Sequence, residues 1–215
     1  LEGLPQWLID QAAETAAEND LEGKWVFTLH KPSWIPFLQY SPKRELREEL
    51  YKAWMHIGDN NNENDNKDII KQIAALRVQR ANLLGYESHA DYVLENNMAK
   101  NAGNVFDLLN QLWTPALNRA KAEAYDMQKL IDASEKEFDL ASWDWWYYAE
   151  KIRQQKFDLS DDVLKPYFEL ENVKQGVFDV ANKLYGLTFE ILPDVPVYHE
   201  DVTVYQIKDI DGSYQ

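Results

Sequence analysis

Residues 142–159, SWDWWYYAEKIRQQKFDL, constrain the fold more than any other stretch of this chain. Ser142 suits a helix N-cap, and Asp144 puts negative charge at the positive end of the helix dipole. Trp143, Trp145, Trp146, Tyr147, Tyr148 and Ala149 then follow almost without a break. A helix that is apolar all round has to be buried all round. The second half turns polar, and Lys151, Arg153 and Lys156 stand where a helix C-terminus favours cations. The expected element is a helix whose N-terminal half, Trp146 included, lies deep in a core. Two uses of such a helix are open: core packing, or an aromatic wall beside a ligand channel.

A chain of 215 residues has ample material for that core. Hydrophobic residues make up 45% and charged residues 27%, an ordinary globular composition. The formal net charge of −15 argues against nucleic acid, whose phosphates need a basic face, and equally against an anionic membrane surface. No apolar run is long enough to span a bilayer. Cysteine is absent, which excludes disulfides, thiolate metal sites and a cysteine nucleophile.

The aromatic stretch sits in a chain that reads as mainly helical. Leu4 to Asn19 predicts a helix, with Pro5 at its first position and Leu4, Leu8 and Ala12 at four-residue spacing. Lys24 to His30 predicts a strand. Pro32, Pro36 and Pro42 predict an extended connector over 31–42, pinned by Trp34, Phe37 and Tyr40. Ser41-Pro42 should then cap a helix running to about Ile57, with Leu46, Leu50 and Trp54 on one side. Residues 59–68, DNNNENDNKD, invite a calcium-loop reading that fails: the position wanting Gly is Asn64 and the closing Glu position is Ile70. An exposed loop capping the next helix is expected instead. That helix, about Asn66 to Leu84, has Ile69, Ile73, Leu76 and Leu83 on its apolar face and Gly85 as its stop. Ser88 and Asp91 resemble a capping box for a short helix to about Asn97. A long pattern from Asn104 to Ile131 contains Pro115, which predicts a kink near Trp113 or two abutting helices.

Beyond the aromatic helix, Asp161 to Leu164 predicts a turn or short helix, and Glu171 to Tyr185 a helix stopped by Gly186. Leu187 to Leu192 and Val202 to Ile207 then read as strands, and Asp211-Gly212 as a hairpin turn. The strand that this turn should lead into is expected beyond the present residues, so 1–215 reads as one segment of a longer chain. Its body is helical over 1–186 and its small end, 187–215, contains β-structure. An uncovered strand edge at Val202 to Ile207 invites self-association.

Chemistry is harder to find. His30, His56, His89 and His199 include no i, i+4 pair. His199-Glu200 begins like the zinc signature H-E-x-x-H, but Thr203 stands at the closing position. Paired carboxylates such as Glu48-Glu49 and Asp161-Asp162 are expected by chance among 37 acidic residues. No glycine-rich phosphate loop or nucleophile elbow is present.

SWDWWYYAEKIRQQKFDL followed by LKPYFELENVKQGVF resembles the thimet oligopeptidase family of zinc peptidases, and within it the bacterial peptidyl-dipeptidase branch. LEGLP at 1–5, KPSWIPFLQY at 31–40, LREELYKAW at 46–54, ANLLGYESHADYVL at 81–94 and VPVYHEDVTVY at 195–205 extend the resemblance over essentially the whole chain. The Trp-Asp-x-x-Tyr-Tyr block is the most specific of these. One departure is Ile57, where relatives often carry Arg.

The resemblance implies a mainly helical, two-lobed peptidase with a deep channel that admits only short peptides. It implies zinc in the full-length parent, polarising the scissile carbonyl and activating water, with the Glu of H-E-x-x-H as general base. It implies release of C-terminal dipeptides. The zinc motif and the residues that bind substrate are expected C-terminal to this segment, so the segment is expected to bind no zinc and to be inactive alone. Trp145, Tyr148 and His199 are expected near the channel. The expected partners are short peptides, with no nucleic acid or membrane, and the expected compartment is the cytoplasm, with the periplasm as the alternative. The competing reading is a non-enzymatic helical binding module.

Overall fold

The structure, a computed structural model, describes residues 1–134, 137–157 and 161–214. Asp158 and Leu159, the end of the aromatic stretch, and the Asp161-Asp162 side chains lie outside the described residues. The chain is mainly helical and divides into two compact units, Leu1–Lys156 and Phe157–Gln215.

The first unit opens with α1 (Gln6–Glu18), which buries Leu8, Ala12 and Ala16 at four-residue spacing. The expected strand at 24–30 does not form. Its donors are taken elsewhere: Val26 N–H donates to the Ala12 carbonyl of α1 and Thr28 N–H to Ser33 Oγ, so no partner strand is served. The proline-rich connector is likewise a helix, α2 (Lys31–Tyr40), with Pro36 inside it. Pro32 lies in the first turn, where an N–H has no helical acceptor to lose. Pro36 does cost a bond, and burial of Trp34, Phe37 and Leu38 in the same ten residues outweighs it.

α3 (Arg44–Met55) starts two residues beyond Pro42, with Lys43 as its N-cap. Pro42 instead packs on the chain's start, where a Cβ on Gly3 would come within 2.8 Å of Pro42 Cδ. The residue that α3 buries is Arg47, at 1% exposure, while Leu46 on the expected apolar side is exposed.

α4 (Lys67–Leu83) leaves Ile69, Ile73, Leu76 and Leu83 exposed and buries Ala81. Gly85 follows with φ of +86°, as a helix stop requires. α5 (His89–Leu94) is capped as expected: Asp91 N–H donates to Ser88 Oγ at 3.2 Å. α6 (Ala102–Asp132) runs through Pro115 as one helix, so the two-helix alternative does not hold. Its last turns reach the core, where Met127 and Ile131 pack with Tyr148. Gln128 ties the following loop to the helix, accepting from Leu140 N–H and donating to the Phe138 carbonyl. A 3-10 turn at Ser142–Asp144 then leads into α7 (Trp145–Phe157).

The second unit holds α8 (Asp161–Leu164), a 3-10 turn at Lys165–Tyr167, and α9 (Leu170–Tyr185), closed by Gly186 at φ +75°. β1 (Thr188–Ile191) pairs antiparallel with β2 (Tyr205–Lys208), Thr188 opposite Lys208 and Ile191 opposite Tyr205. Both strands are shorter than the sequence suggests, and β2 begins three residues later than Val202. Phe178 of α9 stacks on Phe189, 4.2 Å between ring centres, and meets Tyr205 edge-on. The Asp211-Gly212 turn forms, with Asp209 N–H donating to the Ser213 carbonyl and Tyr214 bridging Lys208.

Candidate functional site

The aromatic stretch is anchored by a buried charge. Asp144 is fully buried, and its carboxylate accepts five hydrogen bonds from three groups. Arg44 Nε and Nη2 approach it at 2.9–3.1 Å, Arg47 Nη2 donates at 2.7 Å, and Ala141 N–H closes the turn at 3.1 Å. A buried carboxylate is costly unless paired and fully hydrogen-bonded. This one is both. Arg47 is also spent completely: Nη1 donates to the Ser41 carbonyl at 2.8 Å and Nε to the Trp143 carbonyl at 3.3 Å. The dipole role expected of Asp144 is therefore secondary to a salt bridge that joins α3 to the start of the aromatic helix.

A second buried carboxylate does the same one turn and a half further on. Glu150, 4% exposed, accepts from Gln39 of α2 at 2.9 Å, and from Arg153 and Gln154 of α7 at 2.7–2.8 Å. Burial pushes its pKa up, but the donors Arg153, Gln39 and Gln154 outweigh burial and hold the carboxyl below its ordinary value. The two acids fix α7 against α2 and α3.

With α7 so placed, its tryptophans face α2 and α3 across a groove. Trp34, Tyr51, Trp54, Ser142, Trp145 and Trp146 line a cavity of about 350 Å³. Trp34 and Trp54 stack at 4.4 Å, and Trp146 meets Trp34 edge-on at 6.5 Å. Trp146 is 40% exposed, so the expectation that it lies deep in a core is overturned. The stretch is one-sided after all: Tyr148 and Glu150 point inward, and Trp146 faces the groove.

The three residues expected at a channel are placed differently. Trp145 lines the aromatic groove. Tyr148 lies beneath it, 4% exposed against Met127 and Ile131, and burial raises the pKa of its hydroxyl. His199 belongs to the second unit and is exposed, with Nδ1 accepting the Asp201 N–H at 3.2 Å. Sequence reasoning missed Arg44, Arg47 and Glu150. Arg47 carried a signal, since it sits between Leu46 and Leu50 on a helix whose partner helix begins with an acid.

The other histidines are scattered. His30 caps α2, His56 Nδ1 lies 2.7 Å from the Lys52 carbonyl, and the His89 ring sits beside Tyr92. Among the described residues no three His, Cys, Asp or Glu side chains converge as a metal site would need. The described residues therefore offer no ligand set for a zinc ion. The acidic loop 59–68 is closed by an internal cation instead: Lys67 Nζ reaches Asp59 at 2.5 Å, Asp65 at 2.8 Å and Asn61 at 2.9 Å. Asp65 Oδ1 also accepts the Lys67 N–H, so the loop caps α4.

A mainly helical chain with an aromatic groove beside buried acid–arginine bridges defines a scaffold class and leaves the activity open. The chain belongs to peptidase family M3, whose model matches residues 37–214. It is 38% identical over 213 residues to a dipeptidyl carboxypeptidase of Escherichia coli, a match that covers 99% of this chain and 31% of that protein. It is 34% identical to oligopeptidase A of the same organism, over 97% of this chain and 31% of that protein. It is 32% identical to a probable cytosolic oligopeptidase A of Arabidopsis thaliana, over 99% of this chain and 31% of that protein. The chain thus spans about a third of the length of these relatives. No helix among the described residues is long and apolar enough to cross a membrane.

Proposed function

We propose that this chain is the non-catalytic part of a zinc-dependent oligopeptidase that hydrolyses short peptides and releases C-terminal dipeptides. The observation that carries the reading is the 38% identity to a dipeptidyl carboxypeptidase over 99% of the chain. The segment supplies wall and support for a peptide channel. Trp145 belongs to the wall and Tyr148 holds it from behind; His199, exposed in the second unit, is a further candidate to meet a peptide. Amide hydrolysis needs an activated water and a stabilised oxyanion. Aromatic packing and paired carboxylates supply neither, so zinc belongs to the full-length protein and residues 1–215 alone are inactive. Likeness to a cytosolic relative supports a cytoplasmic setting.

The test uses a short peptide with a free C-terminus, followed by mass spectrometry with the full-length protein and with residues 1–215. The full-length protein should release C-terminal dipeptides and lose that activity to a chelator, and the segment should release nothing. Dipeptide release by the segment, or activity in the full-length protein that a chelator leaves untouched, overturns the assignment.

A further inference from the structure

We infer that the cavity lined by Leu4, Phe27, Leu29, Phe37 and Leu50 binds a short peptide with both ends free and an apolar side chain, of the kind proposed above as product. The inference rests on that reading. Three features meet at this cavity, all within the first unit. The first is the cavity itself, about 420 Å³, a size that suits a small ligand. The second is the backbone beside it. Val26 and Thr28 spend their N–H groups on the Ala12 carbonyl and Ser33 Oγ. Phe27 and Leu29, two residues apart, both line the cavity, as alternate side chains of an extended stretch do. Among the described residues, no hydrogen bond reaches the N–H or carbonyl of Trp25, Phe27 or Leu29. A peptide laid along this stretch supplies alternating donors and acceptors, as in strand addition, and turns alternate side chains toward the cavity. KWVFTLH, a strand sequence without a partner strand, then has one.

The third feature is the charge on the rim. Glu2, Lys43 and Glu49 line the same cavity and are exposed, and among the described residues none of their side chains makes an ion pair. Ser41 adds a hydroxyl there, in a residue 3% exposed; its Oγ accepts Lys43 N–H at 3.4 Å and donates to no acceptor among the described residues. A carboxylate end suits Lys43 and the Ser41 hydroxyl, and an ammonium end suits Glu2 and Glu49. With both signs on one rim, both ends of the ligand have to return to the same cavity, which only a short peptide can do. A fatty acid would set its carboxylate between two acids and one cation, in a chain of charge −15, and would leave the backbone unpaired. A wholly apolar molecule would leave the backbone groups and all three charges unused.

The experiment titrates leucyl-leucine, its N-acetyl form and its C-terminal amide against the full-length protein by calorimetry. The free dipeptide should bind, and each blocked form should bind about three- to fivefold more weakly, the scale of one ion pair at a rim. Lys43→Gln should erase the preference over the amide and keep the preference over the acetyl form. Glu2→Gln combined with Glu49→Gln should do the reverse. An exchange of which end matters does not arise from a lost fold, and all three side chains are exposed. Dipeptide release from a longer peptide, followed on the same preparations, reports the peptidase reading separately, so either can fail without the other. Equal affinity for the three ligands overturns the inference. So do preferences that both sets of charge variants leave intact. So does the absence of binding heat at millimolar dipeptide, the result expected if the rest of the chain covers the cavity.

Discussion

Two clusters in this molecule hold carboxylates around a cation, and they have opposite consequences. At Asp144 the acid is fully buried between Arg44 and Arg47. At Lys67 the cation is half-exposed between Asp59 and Asp65. The contact distances are alike, 2.7–2.9 Å in one and 2.5–2.8 Å in the other. Distance therefore does not tell them apart. Water does: the exposed loop is screened, and each of its charges regains hydration if the contact opens. Asp144 and Arg47 have no such refuge, so they depend on one another. The first cluster holds the fold, and the second only shapes a loop.

The largest effect that would test this contrast is Asp144→Ala. It leaves Arg47 buried without its acid and removes both salt bridges between α3 and the 3-10 turn. Urea denaturation should show a loss of about 3–5 kcal/mol. A loss under about 1 kcal/mol would place the two clusters in the same class.

Glu150→Ala comes next, at about 1–3 kcal/mol, because Gln39 and Arg153 lose a buried acceptor. The same group sharpens the comparison through pH. Its folded pKa lies below its ordinary value of 4.5. Its contribution is therefore present above pH 4.5 and is lost as the pH falls through the folded value. Acid unfolding should begin below pH 4.5 and move toward neutral pH in Arg153→Ala. An unchanged acid midpoint in that variant would show that Arg153 does not hold the carboxyl down.

Trp146→Ala should cost about 1–2 kcal/mol, less than a fully buried aromatic, because the ring is 40% exposed. A cost above about 3 kcal/mol would return Trp146 to the core. The smallest effect belongs to the exposed cluster. Lys67→Met should leave the denaturation midpoint where it is. It should still be visible locally: the hydrogen bonds from Lys67 lower the Asp65 carboxyl to about 2, and its NMR titration should climb back toward 3.8 in the variant. An Asp65 titration that ignores the substitution would mean that Lys67 does not set it.

Where local chemistry decides, the sequence was readable. Gly85 and Gly186 stop helices because only glycine enters a positive φ cheaply, and Ser88 caps α5 because its oxygen reaches the third N–H. The hairpin turn at Asp211-Gly212 was readable for the same reason. Residues 24–40 were not. KWVFTLH has the composition of a strand but no neighbouring strand to pair with, and KPSWIPFLQY has the prolines of a connector but three large side chains to bury. In both cases a partner distant in sequence outweighed the local preference. The candidate site divides the same way. The tryptophans announced themselves by number; their grouping into a groove did not, because Trp34 and Trp54 arrive from two other helices.

The sequence by itself determined that the chain is helical, acidic, without cysteine, and built on the Trp-Asp-x-x-Tyr-Tyr block that carries its resemblance to the peptidase family it belongs to. Those are properties of composition, periodicity and short motifs, each contained within one turn or one element. Only the tertiary structure decided which face of the aromatic helix is core and which is groove. That choice is made by Asp144 and Glu150, whose charges must find Arg44, Arg47 and Gln39 from about a hundred residues away. A buried carboxylate has so few affordable positions that satisfying two of them sets the helix's rotation, and the rotation aims the tryptophans.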